Sequence, residues 1–296
     1  MNTHTAIITR TKNRPLLLRR AMRSVLDQTQ RNWTHVIVND GGDSASIEAL
    51  GRENASAYGG RLKIIHNDRS RGMEAASNIG IAQCDSDYIL IHDDDDSLNA
   101  RFLEITTAFL DNPPYPTVHG VATLALQVNE KIKGNQVLKV GEKLFRTLNG
   151  CLSAAQIAEA NQVPPISFLF RRTAYAATGP FDESLPVLGD WDFLLRFIAK
   201  FDVGVIPEAL AHYHVRSVIS GVMANSVMDK SNHFSLYEGI VRNRMLRDET
   251  YNPALAALLQ QGFPAQRLRR LYEHPFIGGF IRLWSKLVNS DIPPTP

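Results

Sequence analysis

The chain is poor in cysteine: among 296 residues only Cys84 and Cys151 occur. No short Cys spacing is present to hold zinc, and no disulfide framework follows, which fits a reducing compartment. Long apolar runs are absent too. The N-terminus, MNTHTAIITRTKNRP, offers a five-residue apolar stretch at most, too short for a signal-peptide core. No run approaches the ~20 residues of a membrane span. The chain is expected to be soluble and cytoplasmic, at most attached to the inner face of a membrane. Neither charge sign dominates, because 32 Lys and Arg face 30 Asp and Glu. No internal repeat or low-complexity tract occurs apart from the Pro-rich end, Ile292–Pro296. A content of 44% hydrophobic and 21% charged residues is that of an ordinary globular protein. The length suits one large domain, or one domain with an extension.

Charge is instead concentrated locally. Residues 10–31 hold seven Arg or Lys against one acid, Asp27. Asp93-Asp94-Asp95-Asp96 follow the apolar run Tyr88–Ile91. Four adjacent carboxylates stay ionised only if something positive sits among them. A divalent cation carrying a phosphate ligand would serve; the other reading is an acidic solvated turn.

The first hundred residues alternate between strand and helix signals. Strands are predicted at 5–9, 35–38, 62–65 and 88–91, with helices at 15–28, 44–57 and 73–83. Pro15 opens the first helix. Such alternation predicts an α/β fold with a parallel sheet covered by helices. Ligands of open sheets sit beyond the carboxyl ends of the strands, where four polar clusters fall: Thr9–Arg14, Asn39–Asp43, His66–Arg71 and Asp93–Asp96. Farther on, a helix from about Arg101 ends before Pro113-Pro114. Strands are predicted at 118–128, 137–146 and 166–170, with a hairpin near Lys133–Asn135. Helices are predicted at 172–178 and 190–200, the latter with an Asp192–Arg196 pair. The region after 226 is expected to be helical, over 229–248, 253–261 and 265–289.

These clusters, in this order, resemble the family 2 glycosyltransferases of the GT-A fold. The parts are Ile7–Pro15, Ser24–Thr29, Val36–Gly41, Gly72 with Ser77-Asn78-Ile79-Gly80, Asp93–Asp96 and Gly189–Asp192, over roughly residues 4–216. The resemblance implies a Rossmann-like, mostly parallel sheet flanked by helices over residues 1–225. A helical extension would follow over 226–296. It implies transfer of a sugar from a nucleoside-diphosphate sugar to a hydroxyl of a glycan or lipid-linked acceptor, in envelope or surface polysaccharide synthesis. Inversion at the anomeric carbon and a Mn²⁺ or Mg²⁺ cofactor are implied with it.

On that resemblance Thr9, Arg10, Thr11 and Asn13 meet the nucleotide, and Asp40 accepts from the base. Arg71 is a further candidate for phosphate or a base carbonyl, or else a solvated loop residue. Asp93 and Asp95 form the Asp-x-Asp element: Asp95 ligates the cation, and Asp93 reaches the ribose or the cation. Asp96 ligates, or caps the helix near Asn99. His212, His214 and Arg216 alternate on a strand and face one side, either as a solvated edge or with His214 as a further metal ligand and Arg216 on the diphosphate. Arg19, Arg20 and Arg23 are read as the exposed face of the first helix.

Asp190 is the candidate base, matching the second residue of the family's Glu-Asp element. Gly189 stands where the Glu is usual, and a plain helix N-cap is the other reading of Asp190. Gly189 also keeps a rival in play, a non-catalytic nucleotide- or sugar-binding module. A nucleotidyltransferase is disfavoured because strand one lacks a Gly-rich phosphate loop. A phosphatase would usually carry its Asp-x-Asp on the first strand. Nucleic acid is not an expected partner, since the cations form no recognised motif. Residues 265–289 interleave aromatic and aliphatic residues with cations. That pattern suits a membrane interface, or packing on the catalytic domain or on a second copy in a homo-oligomer.

Overall fold

The computed structural model describes residues 3–134, 136–216 and 231–247. Four parallel strands form one half of a nine-stranded sheet: β1 (Thr5–Thr11), β2 (Trp33–Asp40), β3 (Leu62–Asn67) and β4 (Tyr88–Asp93), in the order β3-β2-β1-β4. The sheet continues through β8 (Phe168–Arg171), β6 (Val118–Lys133), β9 (Asp202–Val215) and the two-residue β5 (Ser97–Leu98); β7 (Gln136–Leu144) pairs with β6. β4 and β6 both run antiparallel to β8, while β9 runs parallel to β6. The α/β class with a parallel nucleus is as expected from the sequence.

Strand alternation divides the apolar side chains between two cores. Ile8, Val36, Val38, Ile89 and Ile91 face one core, together with α4 (Met73–Ala82) and α8 (Gly189–Ile198). Ile7, Ile37, Tyr88 and Leu90 face the other, where α1 (Pro15–Leu26), α2 (Ser44–Glu53) and α5 (Phe102–Asp111) contribute Leu18, Val25, Ile47 and Phe102. β1 is buried throughout its length, as a strand covered on both faces must be. Its carboxyl end lies between those of β2 and β4.

Several elements differ from expectation for local reasons. The helix predicted over 44–57 is two, α2 and α3 (Ala55–Tyr58). Asn54 leaves helical geometry at φ −106° and ψ 5°, and its Nδ2 donates to Leu50 O at 2.9 Å, a local competition typical of Asn. A helix α6 (Ala154–Glu159) precedes β8, started by a reciprocal cap between Ser153 and Gln156, which sequence reading passed over. α7 (Arg172–Thr178) falls as predicted, and Arg196 Nε donates to Asp192 at 2.8 Å in α8. β9, which carries His212 and His214, starts as early as Asp202, and its Val203–Ile206 are buried alongside β6. α9 (Ser231–Arg247) lies where a helix over 229–248 was predicted. It docks through Val241 and Met245, and Arg242 donates to Ala158 O at 2.8 Å. The helices predicted at 253–261 and 265–289, and the loop 217–226, lie outside the described residues. Among the described residues no helix is long and apolar enough to cross a membrane.

Candidate active site

β1 delivers alternate side chains to opposite faces, so Thr9 and Thr11 part from Arg10. Thr9 Oγ1 shares a 2.8 Å hydrogen bond with His35 Nε2 in the core, and its side chain is fully buried. Thr11 Oγ1 donates to Asp94 Oδ2 at 2.7 Å. Arg10 reaches the face of α4 and α8: it pairs with Asp93, donates to Ser77 Oγ at 3.3 Å and lies 3.6 Å from Glu74 Oε2. Burial lowers the Arg10 pKa, but Asp93 and Glu74 overcome this and raise it, so the guanidinium is a permanent cation. Asn13 takes a left-handed φ of 57°, tolerable for Asn, and its Oδ1 accepts from Asp43 N at 2.7 Å.

Asp40, the last residue of β2, is occupied by the loop before α4. Its Oδ1 accepts from Asn67 Nδ2 at 2.9 Å and Arg71 N at 2.8 Å; its Oδ2 accepts from Ser70 Oγ at 2.7 Å and Gly72 N at 3.0 Å. Burial pushes this carboxyl up, but those four donors outweigh it and hold it below the usual range. Four bonds fill the acceptor capacity of a carboxylate. Asp40 thus shapes the loop, while the Arg71 side chain remains exposed at its rim.

Three of the four acids at the end of β4 are paired with cations. Arg10 pairs with Asp93, Arg14 with Asp94 at 3.2 Å and Asp95 at 3.5 Å, and Arg216 with Asp95. Arg20, expected on an exposed helix face, instead donates to Asp95 O and Glu130. The run Leu17–Ala21 gives no local sign of this, because Glu130 is 110 residues away. Burial pushes Asp94 up to about 7, and burial with the Asp95 and Asp93 charges pushes Asp96 well above the usual range. Asp96 Oδ1 accepts from His214 N at 2.9 Å, so it ties β9 to the acidic turn rather than capping a helix. His214 uses both ring nitrogens, with Glu130 Oε1 at 2.6 Å and Ser97 Oγ at 2.8 Å.

Among the described residues, no group of three or more His, Cys, Asp or Glu is arranged to hold a metal. The oxygens of Asp93 and Asp95 suit Mn²⁺ or Mg²⁺ chemically. A cation there would have to draw most of its ligands from outside the chain, which a diphosphate does.

Asp190 opens α8 across the cleft. Leu188 before it takes a left-handed φ of 65°, a strain of the kind that gathers at working sites. Asp190 Oδ1 accepts from Trp191 N at 2.8 Å, and Oδ2 accepts from Asn161 Nδ2 at 2.7 Å. Burial pushes its carboxyl up against the Trp191 N–H, Arg10 and Asn161. Asp190 and Arg10 line one hollow with Ile91, Phe168, Phe170 and Phe181. Asn161 and Glu74 escaped sequence reading because their partners are remote along the chain.

The Glycosyl transferase family 2 model matches residues 6–156. The Uncharacterized glycosyltransferase YwdF of Bacillus subtilis (strain 168) is 27% identical over 209 residues, covering 70% of this chain and 73% of that protein. A PGL/p-HBAD biosynthesis glycosyltransferase of Mycobacterium tuberculosis (strain ATCC 25618 / H37Rv) is 26% identical over 231 residues, 76% of this chain and 80% of that one. In structure, S. aureus TarS 1-349 in complex with UDP aligns at a TM-score of 0.65 and 15% identity, covering 94% of this chain and 74% of that one. The mannosyltransferase PcManGT from Pyrobaculum calidifontis, in complex with GDP-Man and Mn2+, aligns at 0.60 and 13% identity over 96% and 80%. The matched stretch is the one that builds the parallel strands and the acidic turn, and on it the chain belongs to glycosyl transferase family 2, a glycosyltransferase of the GT-A fold.

Proposed function

We propose that the protein is an inverting, metal-dependent glycosyltransferase that moves a sugar from a nucleoside-diphosphate donor to an acceptor hydroxyl. The observation that carries this reading is the convergence of the Arg10–Asp93 pair, the Asp94–Asp96 turn and Asp190 at the carboxyl ends of β1 and β4. The complexes of the structural relatives, with UDP in one and GDP-Man and Mn2+ in another, support a nucleotide-sugar partner.

In this reading the β1 end from Thr9 to Asn13, with the Asp40-organised loop and Arg71, forms the nucleotide side of the cleft. Thr9 acts through the strand it belongs to, since its side chain bonds His35. Asp93 and Asp95 would hold Mn²⁺ or Mg²⁺, and His214 would join only by giving up Glu130 or Ser97. Such a cation, when bound, supplies positive charge against the departing diphosphate. Asp190 accepts the proton of the acceptor hydroxyl, whose oxygen attacks the anomeric carbon as the bond to the diphosphate breaks. Arg10 and Arg14 keep positive charge beside that leaving group. One displacement inverts the anomeric centre. The acceptor would be a glycan or lipid-linked molecule of the cell envelope.

The test is calorimetric binding of UDP, dTDP and GDP, with and without Mn²⁺, to the wild type and Asp95→Ala. Metal-dependent binding of one nucleotide, lost in the variant, is expected. Binding of none would sink the donor site. Gly189 favours one second reading, a nucleotide- or sugar-binding module without turnover, which would bind in this assay and release no nucleoside diphosphate from a sugar nucleotide.

A further inference from the structure

Gly189 and Glu74 compete for one volume. A Cβ added at Gly189 would lie 2.5 Å from Glu74 Cγ and Oε1. No larger residue fits at the start of α8 while Glu74 keeps its place. Glu74 stands in the first turn of α4, 3% exposed. Its Oε2 is buried without a hydrogen-bond partner and lies 3.6 Å from Arg10 Nη1. A carboxyl oxygen buried in this way is costly, and such a group in a native structure calls for a reason. The reason lies in its neighbours. Arg10 spans Asp93 and Ser77 and feels the Asp190 charge, so Glu74 backs the cation that links the two acidic sides of the cleft.

We infer that Glu74 is a positioning residue of the active site, delivered from α4 into the space that Gly189 leaves free on α8. The carboxyl that the family resemblance leads one to expect at position 189 thus arrives from another helix. Glu74 acts through Arg10: it holds the guanidinium where Asp93 and Asp190 both depend on it. This inference rests on the proposed transfer reaction with Asp190 as base.

The experiment compares Glu74→Ala, Glu74→Gln, the double variant Glu74→Ala/Gly189→Glu and Asp190→Asn with the wild type. Donor hydrolysis is followed at about pH 9, where the Glu74 carboxyl is ionised, with water as acceptor and UDP-GlcNAc or GDP-Man as the donor probe, and with melting curves as the check on folding. Both single Glu74 variants should lose about tenfold to hundredfold in kcat, with KM for the donor changed less than about twofold. The double variant, which returns a carboxyl to the same volume from α8, should recover most of the loss. If both single variants turn over like the wild type while Asp190→Asn is inactive, Glu74 has no such role and the base assignment stands. A double variant that melts like the wild type yet is no faster than Glu74→Ala also overturns the inference. Should the double variant fail to fold, Glu74→Gln decides, since it keeps the shape and removes the charge. Wild-type turnover by Asp190→Asn would instead overturn the reaction reading itself.

Discussion

Asn161 Nδ2 donates to Asp190 Oδ2 at 2.7 Å, joining the loop after α6 to the first turn of α8. The bond favours the ionised carboxylate, which is the form a general base needs. Asn161→Ala removes it, so the Asp190 pKa should rise further above its ordinary value. The acid limb of the kcat/KM profile should then move to higher pH. An acid limb that stays in place would show that Asn161 does not tune the base.

Asp190→Asn keeps the shape of the helix start and removes the proton acceptor. General-base assistance is typically worth about 10²–10⁴-fold, and kcat should fall by that order. Nucleotide affinity measured by calorimetry should stay close to wild type, because Asp190 lies on the α8 side of the cleft.

Asp40 accepts four hydrogen bonds from the loop before α4. Asp40→Ala leaves those donors without their acceptor and should cost about 1–3 kcal/mol in urea denaturation. UDP binding should weaken together with stability. Lost binding at unchanged stability would mean that Asp40 serves the ligand directly and not through the loop.

Burial pushes the Glu74 carboxyl from its ordinary 4.5 up to about 8. The folded protein therefore holds a proton that the unfolded chain releases. This contribution to stability is complete below 4.5 and is lost as pH rises through about 8. Between about pH 5 and pH 9 the wild type should lose more stability than Glu74→Gln. Parallel pH dependence in urea melts of the two proteins would refute this.

Gly80 places α4 against the sheet. A Cβ there would meet Val38 Cγ2 at 3.1 Å and Ile8 Cγ2 closer still. Ile8 Cγ2 hangs directly from a β-branched carbon and has little room to swing. Alanine should gain about 1 kcal/mol of helix propensity, against about 1–3 kcal/mol for overpacking. Overpacking wins, so Gly80→Ala should melt below the wild type; a higher melting temperature would mean that the α4–β1 gap relaxes freely.

The parallel strands were legible because each is a short apolar run ending in a polar cluster, and the resemblance assigned Asp93, Asp95 and Asp190 to one site. Asp192 and Arg196 were legible as a pair because an i,i+4 spacing is a local property of a helix. The helix break at Asn54 and the cap at Ser153 were also local, yet weak against the surrounding periodicity. The partners of the acids were not legible. Arg20 lies 110 residues from Glu130, and His214 lies 118 from Asp96. Hydrophobic period says only that such residues are on a helix or a strand. Which arginine neutralises which aspartate, and that Glu74 occupies the space beside Gly189, depends on how β6, β9, α4 and α8 pack. The alternation of strands and helices in the first hundred residues, the acidic run and the family resemblance thus follow from the sequence by itself, since they rest on patterns a few residues long. The cations paired with Asp93, Asp94 and Asp95, and the backbone N–H of His214 that Asp96 accepts from, were decided only by the tertiary structure, because burial and proximity across the sheet set those energies.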